Sequence, residues 1–284
     1  MAQKKQSVLF VSDTHRGGLH SDFAAYEKSL IKKMAGYDHA VLIGDIFELF
    51  YVHDTDKKGF RKIIKPHLKD SVEFLENFVR DHPHTQVHFV LGNHENVRKF
   101  RSSLDRLQDK YPNFEWDPQA IRLGDALITH GDLQMSHRTD DRRQMFRLRE
   151  LEHEHGWTNF HMALEEPGQT VVDFLRRPAA AVRMVHQQLK AWDGNPSFTY
   201  THNREKGQTF EMSWVKNVFF GHTHVKFNNY SHEGILYHNT GSFTRVKARE
   251  PKDLGVLEAT LNTEGQITDV TPVELERGRG TRPR

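Results

Sequence analysis

The chain has no cysteine, no long apolar run and almost no net charge. Without cysteine there can be no disulfide and no thiolate metal site, so any metal must be held by nitrogen and oxygen. No stretch approaches the roughly 18 apolar residues of a membrane-spanning helix. Residues 1–6 lead straight into a strand-like segment with no apolar signal region. A formal charge of +2 implies no bulk attraction to nucleic acid or to a membrane. The expectation is a soluble, cytoplasmic protein. What the chain does have is a hydrophobic fraction of 36% over 284 residues, enough for a sizeable core, and 20 histidines. Imidazole is the commonest metal ligand and a proton carrier near neutral pH.

Five short apolar runs end in unusually polar segments. Val8–Val11 ends at SDTH (12–15), Ala40–Ile43 at GDIFE (44–48), and Val87–Leu91 at GNHE (92–95). Ala126–Thr129 ends at HGD (130–132), and Val218–Phe220 at GHTH (221–224). Continuous rather than alternating apolar runs predict strands covered on both faces. Phe23–Met34 and Val72–Arg80 carry apolar residues at helical spacing, so the chain reads as an α/β layered fold. After residue 224 it turns β-rich at 235–237, 255–259 and 267–273, which predicts a second sheet or an antiparallel edge.

Ligand sites in α/β sheets lie beyond the carboxyl ends of the strands. Here those ends deliver Asp13 and His15, Asp45 and Glu48, Asn93 and His94, His130, and His222 and His224. A lone Asp-x-His, or a Gly-Asp after a strand, is an ordinary turn. Several independent strands all ending in ligand-type residues are not. Glycine precedes the donor at Gly44, Gly92 and Gly221, which permits sharp turns and close backbone approach. A mixed nitrogen and oxygen set suits Mn²⁺, Fe or Zn²⁺ better than Mg²⁺ or Ca²⁺. The set is too large for one ordinary site; two divalent ions bridged by a carboxylate would use it fully.

In order and type, DTH, GDIFE, GNHE, HGD and GHTH resemble the calcineurin-like metallophosphoesterase superfamily, over residues 13 to 224. The resemblance implies a four-layer αββα sandwich, with two mixed sheets flanked by helices, as a single domain over residues 1–284. It implies two metal ions, Mn²⁺ first among the candidates. Asp13, His15 and His224 would hold one, and Asn93, His130 and His222 the other, with Asp45 as the bridge. His94 would then lie beside the leaving oxygen rather than on a metal, and Glu48 matches the acid that supports it. The activity implied is hydrolysis of a phosphate ester or pyrophosphate bond by metal-activated hydroxide. A metallophosphoesterase fold turned into a protein-binding scaffold should have lost ligands, and this chain keeps them all.

Residues 136–200 interrupt the alternation with a charged, helical pattern, in segments at 138–156 and 169–192, where Pro178 starts or kinks a helix. Lying between two chemical motifs, this insertion reads as a surface hairpin or as a lid over the site. GDIFELF (44–50), HDTD (53–56), HGD and the insertion also resemble the UDP-2,3-diacylglucosamine diphosphatases, whose cap takes acyl chains. Val171, Val172, Phe174, Leu175, Val182, Met184 and Val185 would supply that apolar face, or else pack back onto the sandwich. That reading gives a lipid-linked nucleotide substrate and peripheral membrane contact. His94-Glu95, where that group often has Arg-Asp, departs from its pattern. The competing substrates are a soluble phosphorylated small molecule such as a nucleotide, or a nucleic acid. The arginines of the insertion alternate with acids, which favours a solvated face over nucleic-acid binding. The basic tail, 276–284, is expected to be disordered.

Overall fold

The computed structural model describes residues 4–18, 21–49, 57–132, 177–244 and 254–278, with side chains of the 57–81 helix from His67 onward. The first sheet is built from β1 (Gln6–Val11), β2 (His39–Ile43), β3 (Gln86–Val90) and β4 (Phe114–Asp117), all parallel. Antiparallel β12 (Val256–Leu261) and β13 (Ile267–Pro272) extend it beside β1. The second sheet runs in the order β10 (Phe227–His232), β11 (Ile235–Asn239), β9 (Asn217–Phe220), β6 (Ala126–Thr129), β5 (Ala120–Leu123), β7 (Thr199–His202), β8 (Glu205–Thr209). The β-rich end of the chain thus divides: β10 and β11 join the second sheet, while β12 and β13 edge the first.

The continuous apolar runs are explained by cover on both faces. Val8, Phe10, Val41, Ile43 and Val90 turn toward the other sheet and meet Ile121, Ile128 and Phe219. The Phe10 and Phe219 rings stack across that seam with centroids 3.8 Å apart. The alternate residues Leu9, Val11, Ala40, Leu42 and Phe89 face outward onto α1 (Phe23–Met34), α2 (Lys57–Asp81) and α3 (Arg98–Lys110). Each fully buried Val, Leu, Ile or Phe side chain among these contributes about 1.5–3 kcal/mol. Helix α1 shows why the outer layer forms: Phe23, Tyr26, Leu30 and Met34 recur at helical spacing and are all buried.

The fourth layer is α4 (Pro178–Trp192), which opens on the predicted proline. Its Ala181, Val182, Val185, Leu189 and Trp192 pack on Leu127, Val218, Phe220 and Tyr237 of the second sheet, with Met184 partly buried alongside. The C-terminal part of the insertion is therefore sandwich, and Val182, Met184 and Val185 are spent on the core. Its remainder, with Val171, Val172, Phe174 and Leu175, lies outside the described residues, as do 53–56 and the end of the basic tail. No helix among the described residues is long and apolar enough to cross a membrane.

Candidate metal centre

All the motif-bearing ends lie on one edge of the two sheets. The ladder between β1 and β2 continues past the strands: Asp13 N–H donates to Gly44 O (3.1 Å), His15 N–H to Asp45 O (2.9 Å) and Glu48 N–H to Arg16 O (3.0 Å). In the second sheet the ladder between β6 and β9 likewise continues, Gly221 N–H donating to His130 O (2.9 Å), and the 240–244 loop after β11 crosses to the end of β1 by Phe243 N–H to Asp13 O (3.0 Å).

The backbone there is strained. Asp13, His15, Asp45, His222 and His224 have φ of +49°, +43°, +51°, +65° and +58°, in the left-handed region that L residues seldom occupy. Such strain persists where the surroundings over-determine it, and it concentrates at functional sites. The motif glycines make room for it. A Cβ on Gly44 would lie 2.6 Å from Cγ of the His130 ring; one on Gly92 would collide with the Asp45 carboxylate; one on Gly221 would collide with the Asp13 carboxylate.

Three donor sets converge, each with ligand atoms within 4.8 Å of one another: Asp13, His15 and His224; His15, Asp45 and His94; and Asp45, His130 and His222. Asp45 Oδ2 is common ground, at 3.2 Å from His130 Nε2 and 3.8 Å from Nε2 of both His15 and His94. His224 Nε2 lies 3.2 Å from Asp13 Oδ1. Asn93 stands in the turn Asn93–Glu95 at the same edge. Every predicted site residue is thus on one edge.

The Nδ1 atoms turn away from this centre and are held. His130 Nδ1 donates to the Ile43 carbonyl (2.9 Å), and His224 Nδ1 meets Thr244 Oγ1 (3.1 Å). His15 Nδ1 meets Glu48 Oε2 at 3.0 Å, while His94 Nδ1 lies 2.9 Å from Oε1 and 3.1 Å from Oε2 of the same carboxylate. Glu48 therefore orients two imidazoles, where the sequence resemblance assigned it one. For His15, His130 and His224 a partner on Nδ1 leaves Nε2 as the atom turned to the centre, the arrangement of metal-binding histidines, while for His94 it directs Nε2 into the same space.

The donors fit divalent transition ions. Nε2 of His15 and of His130 are buried and have no hydrogen-bond partner among the described residues, which is costly unless something else takes the lone pair. Burial works against charge at His130 and His94, but Asp45 outweighs it, lifting His130 to about 10 and, with Glu48, His94 to about 9; the same negative field that favours a proton on His130 Nε2 would favour a metal ion in its place. Burial, reinforced by His130, lowers His222 to about 4 and keeps it neutral. Burial disfavours charge on Asp45 too, yet His130 and His94 hold it well below the usual carboxylate range.

Glu95 is the functional residue whose role the sequence did not disclose. It is fully buried, and its carboxylate accepts N–H groups from Asp45 (3.1 Å), Phe47 (2.7 Å) and Gly92 (3.0 Å). Its only signal was a charge placed directly after a buried strand. Ser12, which bonds both Asp13 and Thr240, likewise carried no pattern.

Fold and site together define a metallophosphoesterase architecture, and the family model for calcineurin-like phosphoesterases matches residues 7–226. The chain belongs to that family. No curated protein matches it. Among solved structures it is similar to YfcE, a phosphoesterase from E. coli, at 14% identity, covering 94% of this chain and 100% of that one, with TM-score 0.37. A dimetal phosphatase from Danio rerio is 12% identical, over 89% of this chain and 91% of that one, with TM-score 0.41. GAP50, the anchor in the inner membrane complex of Plasmodium, is 10% identical, over 98% and 91%, with TM-score 0.44.

Proposed function

We propose that the chain is a binuclear, metal-dependent hydrolase of phosphate esters or pyrophosphates. The observation that carries this reading is the setting of Asp45 Oδ2, which faces Nε2 atoms of His130, His15 and His94 whose opposite nitrogens are held by Ile43 O and Glu48. Asp13, His15 and His224 would hold one ion, Asn93, His130 and His222 the other, and Asp45 both. The mixture of imidazole and oxygen donors suits Mn²⁺, Fe or Zn²⁺ over Mg²⁺ or Ca²⁺, and the family resemblance puts Mn²⁺ first. Bound there, the pair would supply Lewis acidity toward phosphoryl oxygens and a nucleophile at neutral pH.

The chain's own residues divide the remaining work. Glu48 on Nδ1 keeps His94 oriented and cationic, so its Nε2–H can donate to the leaving oxygen. Glu95 holds the Asp45 loop and the Gly92 turn in register. The substrate is a phosphorylated small molecule or a lipid-linked nucleotide. The acyl-chain version rests on residues 171–175, since Val182 and Val185 are committed to the second sheet. A substrate panel tests this: p-nitrophenyl phosphate, a bis-aryl phosphodiester, UDP-sugars with and without acyl chains, and single-stranded DNA, each with Mn²⁺-loaded protein. Turnover of a phosphate ester or pyrophosphate that is abolished by chelator and restored by Mn²⁺ is expected. No metal-dependent turnover of any member would refute it.

A further inference from the structure

A second set of nitrogen and oxygen donors lies at the opposite end of the second sheet. β9 and β11 run parallel, and the centre above follows the C-terminal end of β9; His232 and Glu233 precede the start of β11. His186 of α4 reaches the same turn, and one ligand atom from each of the three lies within 4.8 Å of the others. The His186 ring is 2% exposed and meets the Tyr237 hydroxyl at Nδ1 (2.6 Å), with the His232 ring edge-on at 4.7 Å.

The decisive detail is the other nitrogen. His186 Nε2 stands 3.2 Å from Glu233 Oε2, yet the alignment of a hydrogen bond is not met, and Nε2 has no hydrogen-bond partner among the described residues. A simple ion pair would aim the N–H along that line. Tetrahedral zinc with bonds of 2.0–2.1 Å separates its ligand atoms by about 3.3 Å, so this spacing suits two donors sharing one ion. His130 Nε2 and Asp45 Oδ2 show the same signature, 3.2 Å apart with no hydrogen bond formed at Nε2.

The surroundings agree. Burial lowers the His186 pKa against the opposing pull of Glu233, which favours the neutral ring that ligation needs. Glu233 and Gly234 form the two-residue hairpin turn with φ of +46° and +79°, where asparagine or aspartate normally precedes the glycine. Glutamate accepts that strain with a longer carboxylate arm. Lys190 Nζ bonds Glu233 Oε2, so a cation there competes with Lys190 for one oxygen.

We propose that His186, His232 and Glu233 form a mononuclear site for a zinc-class cation, independent of the strand-end centre, that ties α4 to the β10–β11 hairpin. Equilibrium dialysis of the chelator-stripped full chain against micromolar Zn²⁺ tests it. The wild type should retain one more equivalent than His232→Gln, and an Asp13→Asn background, which acts on the strand-end centre, should preserve that difference. Lys190→Met should tighten the additional equivalent severalfold by removing the competing ammonium. Equal zinc content in wild type and His232→Gln, or weaker binding in Lys190→Met, would overturn the proposal.

Discussion

Glu95 holds Asp45 from behind: its carboxylate accepts the Asp45 N–H at 3.1 Å and, within the same group, the N–H of Phe47 and of Gly92. One side chain thus ties the loop after β2 to the turn after β3. Burial, and then Asp45, push its pKa upward, opposed by the bonds from Phe47 and Gly92, which favour the carboxylate. Replacing an oxygen by an amide turns one acceptor into a donor facing N–H groups. Glu95→Gln is expected to cost about 1–3 kcal/mol of stability, the penalty of unsatisfied buried polar groups, and to weaken metal binding. Denaturant titrations of apo and metal-loaded protein would check both. Unchanged stability and metal affinity would show that Glu95 is dispensable.

The motif glycines make a sharper case, because a single methyl is the whole perturbation. Gly221→Ala would press on the Asp13 carboxylate and bring Cβ 2.6 Å from Ser12 Oγ. Metal affinity should fall about 10–100-fold, the usual effect of disturbing the groups behind a ligand, while circular dichroism stays native. Calorimetric titration with Mn²⁺ measures it, and wild-type affinity would mean that the Asp13 position is not critical.

His94 gives a split between binding and turnover. His94→Ala should leave metal content nearly intact and lower turnover by about 10²–10⁴-fold, the range of a general acid. The loss should be smallest for p-nitrophenyl phosphate, whose leaving group needs little protonation. If metal departs with activity, His94 is a ligand.

Acid stability should be governed by buried neutral histidines. His238 is fully buried; its Nδ1 accepts the Asn229 N–H (3.1 Å) and its Nε2 faces Asn217 Oδ1 (3.1 Å), so the neutral ring is satisfied on both sides. Burial lowers its pKa to about 3, and burial followed by His88 lowers His39 to about 4. Below pH about 6.5 the unfolded chain binds protons that the folded chain refuses. Stability from these groups is present above that pH and is lost as pH falls toward 3, by up to about 1.4 kcal/mol per pH unit per histidine. Urea titrations from pH 7 to 4 should show a shallower fall for His238→Gln; an identical slope would assign the acid lability elsewhere.

The sequence disclosed the centre more fully than the frame around it. Strands covered on both faces are runs of apolar residues, and their polar ends stand out against them, so Asp13, Asp45, His130 and His222 were legible. Strand β8, with the sequence EKGQT, is an exposed edge held by its ladder to β7, and it offers no apolar pattern to read. Arg204 is similar: its guanidinium donates to the carbonyls of Gln108 (2.6 Å) and Tyr111 (3.0 Å), gathering the end of α3 from 93 or more residues away. Glu48 was legible as a partner of His94, but its reach to His15 depends on two loops meeting, which no local pattern encodes. The helical insertion showed its proline start, while the apolar stripe of α4 could not say which surface it would cover.

The central claim is that Asp45 serves two ions at once, and metal content is its most direct test. Protein purified without chelator and analysed by elemental mass spectrometry should approach two transition-metal equivalents per chain. Asp45→Asn should lower occupancy of both together, since one carboxylate faces His130 at 3.2 Å and His15 at 3.8 Å. Two equivalents retained by folded Asp45→Asn, or full activity with a single ion, would contradict it.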